Sequence, residues 1–273
     1  MRYKALSIAG FDGSGGAGIQ ADLKTFSAFG CYGMTVLTAL PVQNTCEVRR
    51  CYAIPIEAIE DQLNTLFDDI TPDSIKIGML FTSEIIELVA SFLKKKAIDI
   101  PIVIDPVTVA KSGHSLLLPE AVNSLLTVLM PLATLITPNL PEASSFTGMH
   151  IQSENDMFSV SQKLLDFGPK YILLKGGHLK SPESNDLLMG TNGEYHWFTS
   201  ARINSKNTHG TGCTLSAAIT ACLAQKIDLI QACGIAKNYL FNAIKAAKEE
   251  HVGLGNGPVN HFYHLWPVQL FDL

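Results

Sequence analysis

The chain has 273 residues, 47% of them hydrophobic and 16% charged, with a formal net charge of −5. That supply of apolar side chains is enough for a large buried core, and the acidic balance argues against a nucleic-acid surface, which needs a basic stripe. No repeat or low-complexity linker divides the sequence, so one domain over residues 1–273 is expected.

The elements follow in chain order. Lys4–Ala9 reads as a buried strand whose apolar run stops at Gly10, a first β-strand rather than a signal peptide. A helix follows over Ile19–Phe29, with Ile19, Leu23 and Phe26 on one face and Gly30 closing it. Further strands are expected at Thr35–Leu40, Ser74–Met79, Ile102–Asp105, Thr134–Thr137 and Tyr171–Lys175. Helices fall between them at Pro55–Asp69, Ser83–Lys95, Pro119–Leu129, Pro141–Thr147 and Ser153–Phe167. Pro55, Pro119 and Pro141 suit first helical turns. After Lys175 the pattern changes to a hairpin, Asp186–Met189 with Tyr195–Ile203 around Thr191-Asn192-Gly193. A glycine-led helix and a last long helix, Leu229–Glu249, complete the chain.

Alternation of strand and helix predicts an α/β fold with a mainly parallel central sheet and helices on both faces. Ligands of such sheets bind beyond the carboxyl ends of the strands, which singles out Gly10, Gln43, Met79, Asp105, Asn139 and Lys175. The apolar run Leu125 to Ile136 is interrupted by Pro131 and is too short to span a bilayer. The six cysteines lack C-x-x-C spacing, which suits reduced thiols in a cytoplasmic protein.

The most informative stretch is Asn204-Ser205-Lys206-Asn207-Thr208-His209-Gly210-Thr211-Gly212-Cys213-Thr214, which runs into a small, apolar helical segment. A glycine-rich helix start offers unpaired N–H groups and the positive end of the helix dipole, an anion cradle with Cys213 in its middle. Taken alone, a plain helix start with a buried thiol satisfies the same residues. Gly13-Ser14-Gly15-Gly16-Ala17-Gly18 has the G-x-G-x-x-G form, but no acid ends the following strand about 20 residues on, as a dinucleotide site requires. The loop is either a close backbone approach to a small ligand or a plain flexible loop. Asp105 and Glu142 stand at two strand mouths, where they can hold Mg²⁺ beside a polyphosphate or serve as helix-start groups. Lys175 enters Gly176-Gly177 and can reach a phosphate or snorkel from the strand end.

Ala9-Gly10-Phe11-Asp12-Gly13-Ser14-Gly15-Gly16-Ala17-Gly18-Ile19-Gln20-Ala21-Asp22-Leu23-Lys24-Thr25 resembles the opening of the hydroxymethylpyrimidine/phosphomethylpyrimidine kinases of thiamine biosynthesis, within the ribokinase-like superfamily. The same order continues through Thr38–Thr45, Lys76–Leu80, Val109–Gly113, Ile136–Ala143, Leu174–His178, Lys206–Ser216 and Gly257–Phe262. Only the tail after His264 falls outside the match.

The resemblance implies that Asp22 and Gln43 hold an aminopyrimidine, with Gly10, Met79 and Val107 lining its pocket. A glutamine amide suits a ring nitrogen beside an amine, because it both donates and accepts. Cys213 takes the catalytic-base position, and a thiol at a helix N-terminus is expected to be lowered toward a thiolate. Asn139, Thr208, Gly210, Thr211 and Gly212 would cradle the phosphates of ATP, Lys175 would neutralise them, and Asp105 and Glu142 would manage Mg²⁺. Lys111-Ser112-Gly113 would form a flap. Gly13, where the family usually has proline, implies a looser substrate loop, and Pro41 replaces a small aliphatic near Gln43. A homodimer is the family expectation, with no nucleic-acid or membrane partner. The competing readings are a pyridoxal kinase of the same fold, a dinucleotide-dependent oxidoreductase and a catalytically silent pyrimidine-binding protein.

Overall fold

A computed structural model of the protein describes residues 2–108 and 116–266; the proposed flap Lys111-Ser112-Gly113 lies outside them. The chain begins β1 (Lys4–Ala9), α1 (Gly18–Ala28) and β2 (Tyr32–Leu37). Next come β3 (Ala39–Gln43), β4 (Val48–Ala53), α2 (Ile56–Asp69), β5 (Ser74–Ile77), α3 (Ser83–Lys96) and β6 (Ile102–Ile104). A short α4 (Ala121–Ser124) runs into a π-helical turn and a 3₁₀ turn before β7 (Leu135–Ile136). The remainder is α5 (Leu140–Thr147), α6 (Glu154–Leu165), β8 (Tyr171–Lys175), β9 (Asp186–Gly190), β10 (Tyr195–Phe198), α7 (Thr211–Ala224) and α8 (Leu229–Ala246).

Eight strands form one sheet in the order β10-β9-β8-β7-β6-β5-β1-β2. β2, β1, β5, β6, β7 and β8 are parallel neighbours in that order, and β9 and β10 add an antiparallel end. Burial on both faces explains why the inner strands read as continuous Ile/Leu/Val runs. Within them the pleat still sorts side chains by face. Ile102, Ile104, Ile136, Ile172 and Leu174 join the cluster packed by α2 to α6, whereas Val103, Leu135 and Leu173 pack against α7 and α8. From Thr214 to Ala224, α7 is buried on every side, which suits a helix without a polar face. Its Ala217, Ala221 and Ala224 let Phe26 of α1 come close.

Several expectations change. The strands expected over Ser74–Met79 and Tyr195–Ile203 end at Ile77 and Phe198. The strand expected at Thr35–Leu40 is two elements. β2 ends at Leu37, and β3 leaves the main sheet to pair antiparallel with β4 in a separate ribbon. A proline such as Pro41 is tolerated in a two-stranded edge of this kind. The helix expected over Pro119–Leu129 is only partly α, giving way to the π turn at Leu125. The last helix stops at Ala246, short of Glu249. Among the described residues no helix is long and apolar enough to cross a membrane.

Candidate active site

Asp105, just beyond β6, and Lys175, at the end of β8, meet at the N-terminus of α7. Gly210 caps that helix in the left-handed region, φ 75°, and a Cβ there would lie 1.7 Å from the carbonyl oxygen of Gly16. Only glycine meets both demands, so the Thr208–Gly212 loop rests directly on the 13–18 loop. One residue further, the Cβ position of Gly212 lies 3.2 Å from Asp105 Oδ2 and 3.4 Å from Lys175 Nζ. A helix N-terminus, a cation and a carboxylate therefore meet at one point.

Lys175 does not snorkel. Its Nζ donates to Asp105 Oδ1 at 3.0 Å, and Thr137 Oγ1 donates to the same oxygen at 3.2 Å. Burial opposes the ammonium, yet Asp105 and Glu142 hold Lys175 above its ordinary value. Asp105 Oδ2 is buried without a hydrogen-bond partner, an acceptor left open toward the helix start.

Glu142 does what any first-turn acid can do and something more. It completes a capping box on α5: Asn139 N–H donates to Glu142 Oε2 at 2.8 Å, and Glu142 N–H donates to Asn139 Oδ1 at 2.9 Å. Burial raises the Glu142 carboxyl to about 7; Asp105 adds to the rise, while Lys175 and the N–H groups of Asn139 and Thr108 oppose it. Asn139 is thereby fixed beside Lys175, whose N–H donates to the Pro138 carbonyl at 2.9 Å.

The expected thiolate at Cys213 is reversed. Burial pushes this thiol up to about 11; Lys76 pulls it back, Asp22 and Asp105 push it further, and the Gly18 N–H pulls it down. Desolvation of the charged form outweighs the helix dipole here.

At the end expected to take the ring, a Cβ on Gly10 would stand 3.0 Å from Met79 Sδ, so these two expected pocket residues are in contact. Gln43 ends β3 at a register shift between Val42 and Gln43, an irregularity of the kind that re-aims a side chain. The Val107 N–H donates to the Asp105 carbonyl at 2.8 Å, which fixes the turn leaving β6. Asp22 is wholly buried. Its Oδ2 accepts from Ser7 Oγ at 2.5 Å and from Lys76 Nζ at 2.8 Å.

Three contributors were missed in the sequence. Lys76 is a completely buried lysine in an apolar strand, visible as the one charge between Ile75 and Ile77. Asp12 and His209 are the others. Asp12 Oδ1 accepts from Ser14 N–H and Ser14 Oγ, and Oδ2 from Gly16 N–H, Ala17 N–H and His209 Nε2. The glycine loop is fastened rather than loose, despite Gly13. Burial opposes the Asp12 charge, but the His209 and Ser14 contacts hold its carboxyl well below the ordinary carboxylate range.

A mostly parallel sheet with an antiparallel end, and a glycine-led helix start at the carboxyl ends of its strands, define a ribokinase-like fold. The phosphomethylpyrimidine kinase family matches residues 12–260, and the chain belongs to that family. The hydroxymethylpyrimidine/phosphomethylpyrimidine kinase of Salmonella typhimurium is 46% identical over 97% of this chain and 100% of its own. Among solved structures, an ADP complex of Bacillus subtilis pyridoxal kinase superposes with a TM-score of 0.84 at 40% identity, covering 96% of this chain and 98% of that one. The phosphomethylpyrimidine kinase of Clostridium difficile superposes with a TM-score of 0.79 at 44% identity, covering 89% and 100%.

Proposed function

We propose that the protein transfers phosphate from ATP to the hydroxymethyl group of 4-amino-5-hydroxymethyl-2-methylpyrimidine, and then to the resulting monophosphate, yielding the diphosphate for thiamine synthesis. The observation that carries the chemistry is the meeting of Gly212, Asp105 and Lys175 at the start of α7. The substrate assignment rests on the relatives' names and on the resemblance of the residues around Gln43 and Met79.

In this reading the ring lies against Gly10, Met79 and Val107, with Gln43 and Asp22 pairing to its nitrogens. Thr208, Gly210, Thr211 and Gly212 cradle the phosphate oxygens, with Asn139 alongside. Lys175 Nζ already stands 3.0 Å from Asp105 Oδ1, so its charge is aimed where a transferring phosphoryl group accumulates negative charge. Cys213 accepts the hydroxyl proton. Most of it is protonated at neutral pH, so the thiol must first lose its own proton, and turnover should rise with pH. Positioning and charge neutralisation supply most of the acceleration, since phosphoryl transfer asks little covalent chemistry of the protein.

The residues present also fit Mg²⁺. Asp105 offers a buried oxygen without a partner, and Glu142 lies close enough to raise the cost of a second negative charge there. Among the described residues no cluster of three or more His, Cys, Asp or Glu forms a metal cage. That suits an ion held by one or two carboxylates with waters and phosphates. Bound there, Mg²⁺ would neutralise charge on the polyphosphate.

The protein would act as a single domain and as a cytoplasmic homodimer, following the family resemblance; light scattering on the purified chain tests the dimer. A second reading, pyridoxal phosphorylation, draws on the 40% identical Bacillus subtilis enzyme. Initial rates of ADP release with the hydroxymethylpyrimidine and with pyridoxal, each with ATP and Mg²⁺, separate the two. A clear preference for pyridoxal would overturn the pyrimidine assignment.

A further inference from the structure

Lys76 is a buried side chain of this site to which the proposed chemistry assigns no contact with substrate or nucleotide. It lies in β5 between Ile75 and Ile77, and its exposure is 0%. A charge in such a position is costly to desolvate, and an apolar side chain of similar volume there would pack the strand without that cost. The ion pair therefore contributes little to folding, and its geometry points elsewhere. A Cβ on Gly78 would lie 2.8 Å from Lys76 Nζ, so the ammonium runs along its own strand toward the ligand end of the sheet. Met79 and Gly10, which touch each other, are the next residues in that direction.

There the ammonium meets Asp22. Lys76 Nζ at 2.8 Å and Ser7 Oγ at 2.5 Å both donate to Asp22 Oδ2, an arrangement that suits a carboxylate. Burial raises the Asp22 carboxyl, and Lys76 and Ser7 work against that rise. The other oxygen, Oδ1, is sealed from solvent and has no partner. A buried acceptor left open costs free energy unless a ligand donor completes it.

We propose that Lys76 is a positioning residue for substrate recognition: it anchors Asp22 through Oδ2, as a carboxylate, and so reserves Oδ1 for an amino group of the bound heterocycle. The inference rests on the pyrimidine reading given above. Lys76 itself touches neither substrate nor nucleotide and acts through Asp22.

A double-mutant cycle read by calorimetry tests this, with 4-amino-5-hydroxymethyl-2-methylpyrimidine and ADP as separate titrants. Lys76→Met should weaken pyrimidine binding by about tenfold or more and leave ADP within about threefold, because the pair is removed from the ring end alone. Asp22→Asn should do the same. The combined Asp22→Asn, Lys76→Met protein, which buries no unpaired charge, should bind the pyrimidine no more than about threefold more weakly than Asp22→Asn by itself. Should Lys76→Met fail to fold, Lys76→Gln, which removes the charge but keeps a polar side chain in the strand, takes its place and is judged by the same losses. Wild-type pyrimidine affinity in Lys76→Met, equal loss for both ligands, or two losses that multiply in the double variant would each overturn the role of Lys76. A wild-type protein that binds no pyrimidine would overturn the substrate reading, and this inference with it.

Discussion

His209 Nε2 stands 2.8 Å from Asp12 Oδ2, and this contact ties the loop that opens the chain to the loop that starts α7. The two loops also touch through backbone, where Gly210 rests against Gly16. The surface expected to hold the ring and the surface expected to hold phosphate are thus parts of one built unit. Asp12→Ala would strip acceptors from Ser14, Gly16, Ala17 and His209 together. The expected loss of stability is about 2–4 kcal/mol by urea unfolding, the range for breaking a buried network. A loss under about 0.5 kcal/mol would mean the loop is held by other contacts. Because the folded Asp12 carboxyl is depressed, its contribution is present above the ordinary value of 3.8 and is lost as pH falls below it.

Cys213 carries a thiol held up to about 11 by burial. Alkylation by iodoacetamide, followed by mass spectrometry of its peptide, should therefore accelerate about tenfold per pH unit between pH 7 and 9, since only the thiolate reacts. Over the same interval the turnover number should climb, and Cys213→Ala should lower it by about 10² while keeping pyrimidine affinity within a few-fold. A plateau in alkylation near pH 7, or full turnover in the alanine variant, would remove Cys213 from the role of base.

Gln43 sits at the register shift that ends β3. Gln43→Leu keeps the volume and removes the amide, so pyrimidine binding should weaken by roughly 1.5–3 kcal/mol with nucleotide binding unchanged. Equal calorimetric losses for both ligands would make Gln43 a structural residue of the ribbon.

His261 offers a test of pH-linked stability away from the chemistry. Burial lowers it from 6.5 to about 4, and Lys24 adds to the shift. Thr214 Oγ1 lies 3.1 Å from its Nε2, and Tyr239 donates to its carbonyl at 2.6 Å. The folded state prefers the neutral ring, so stability is full above 6.5 and falls as pH drops toward about 4. The slope attributable to this group is roughly 1.4 kcal/mol per pH unit. Urea unfolding of His261→Gln between pH 7 and 4.5 should show a shallower acid loss than the wild type. Identical slopes would contradict a buried neutral His261.

Much of this architecture was legible in the chain. β1 and β8 fall where their aliphatic runs begin and end, because strands buried on both faces leave no polar residues to blur the pattern. The β3–β4 ribbon was not legible. β3 buries Ala39 and Pro41 in alternation, but β4 exposes Arg49, Arg50, Tyr52 and Ala53 nearly in succession and so carries no period-2 signal that would reveal its partner. Asp105, Glu142 and Lys175 were placed by the rule of strand ends, and they do meet there. Lys76 was not, since it lies three residues before the strand-end candidate Met79 and its charge is visible only as an interruption of an apolar run. The Cys213 expectation failed on magnitude: a helix N-terminus favours a thiolate, and desolvation of the half-buried thiol disfavours it more.

Two successive phosphorylations at the one site where α7 begins are tested most directly by a time course of the purified chain with ATP, Mg²⁺ and 4-amino-5-hydroxymethyl-2-methylpyrimidine, products followed by mass spectrometry. The monophosphate should appear first and decline as the diphosphate accumulates, with no second protein added and both steps lost together in Lys175→Met, whose ammonium is held against Asp105 beside the helix start. A reaction that stops at the monophosphate, or that proceeds with pyridoxal in preference to the pyrimidine, would contradict the claim.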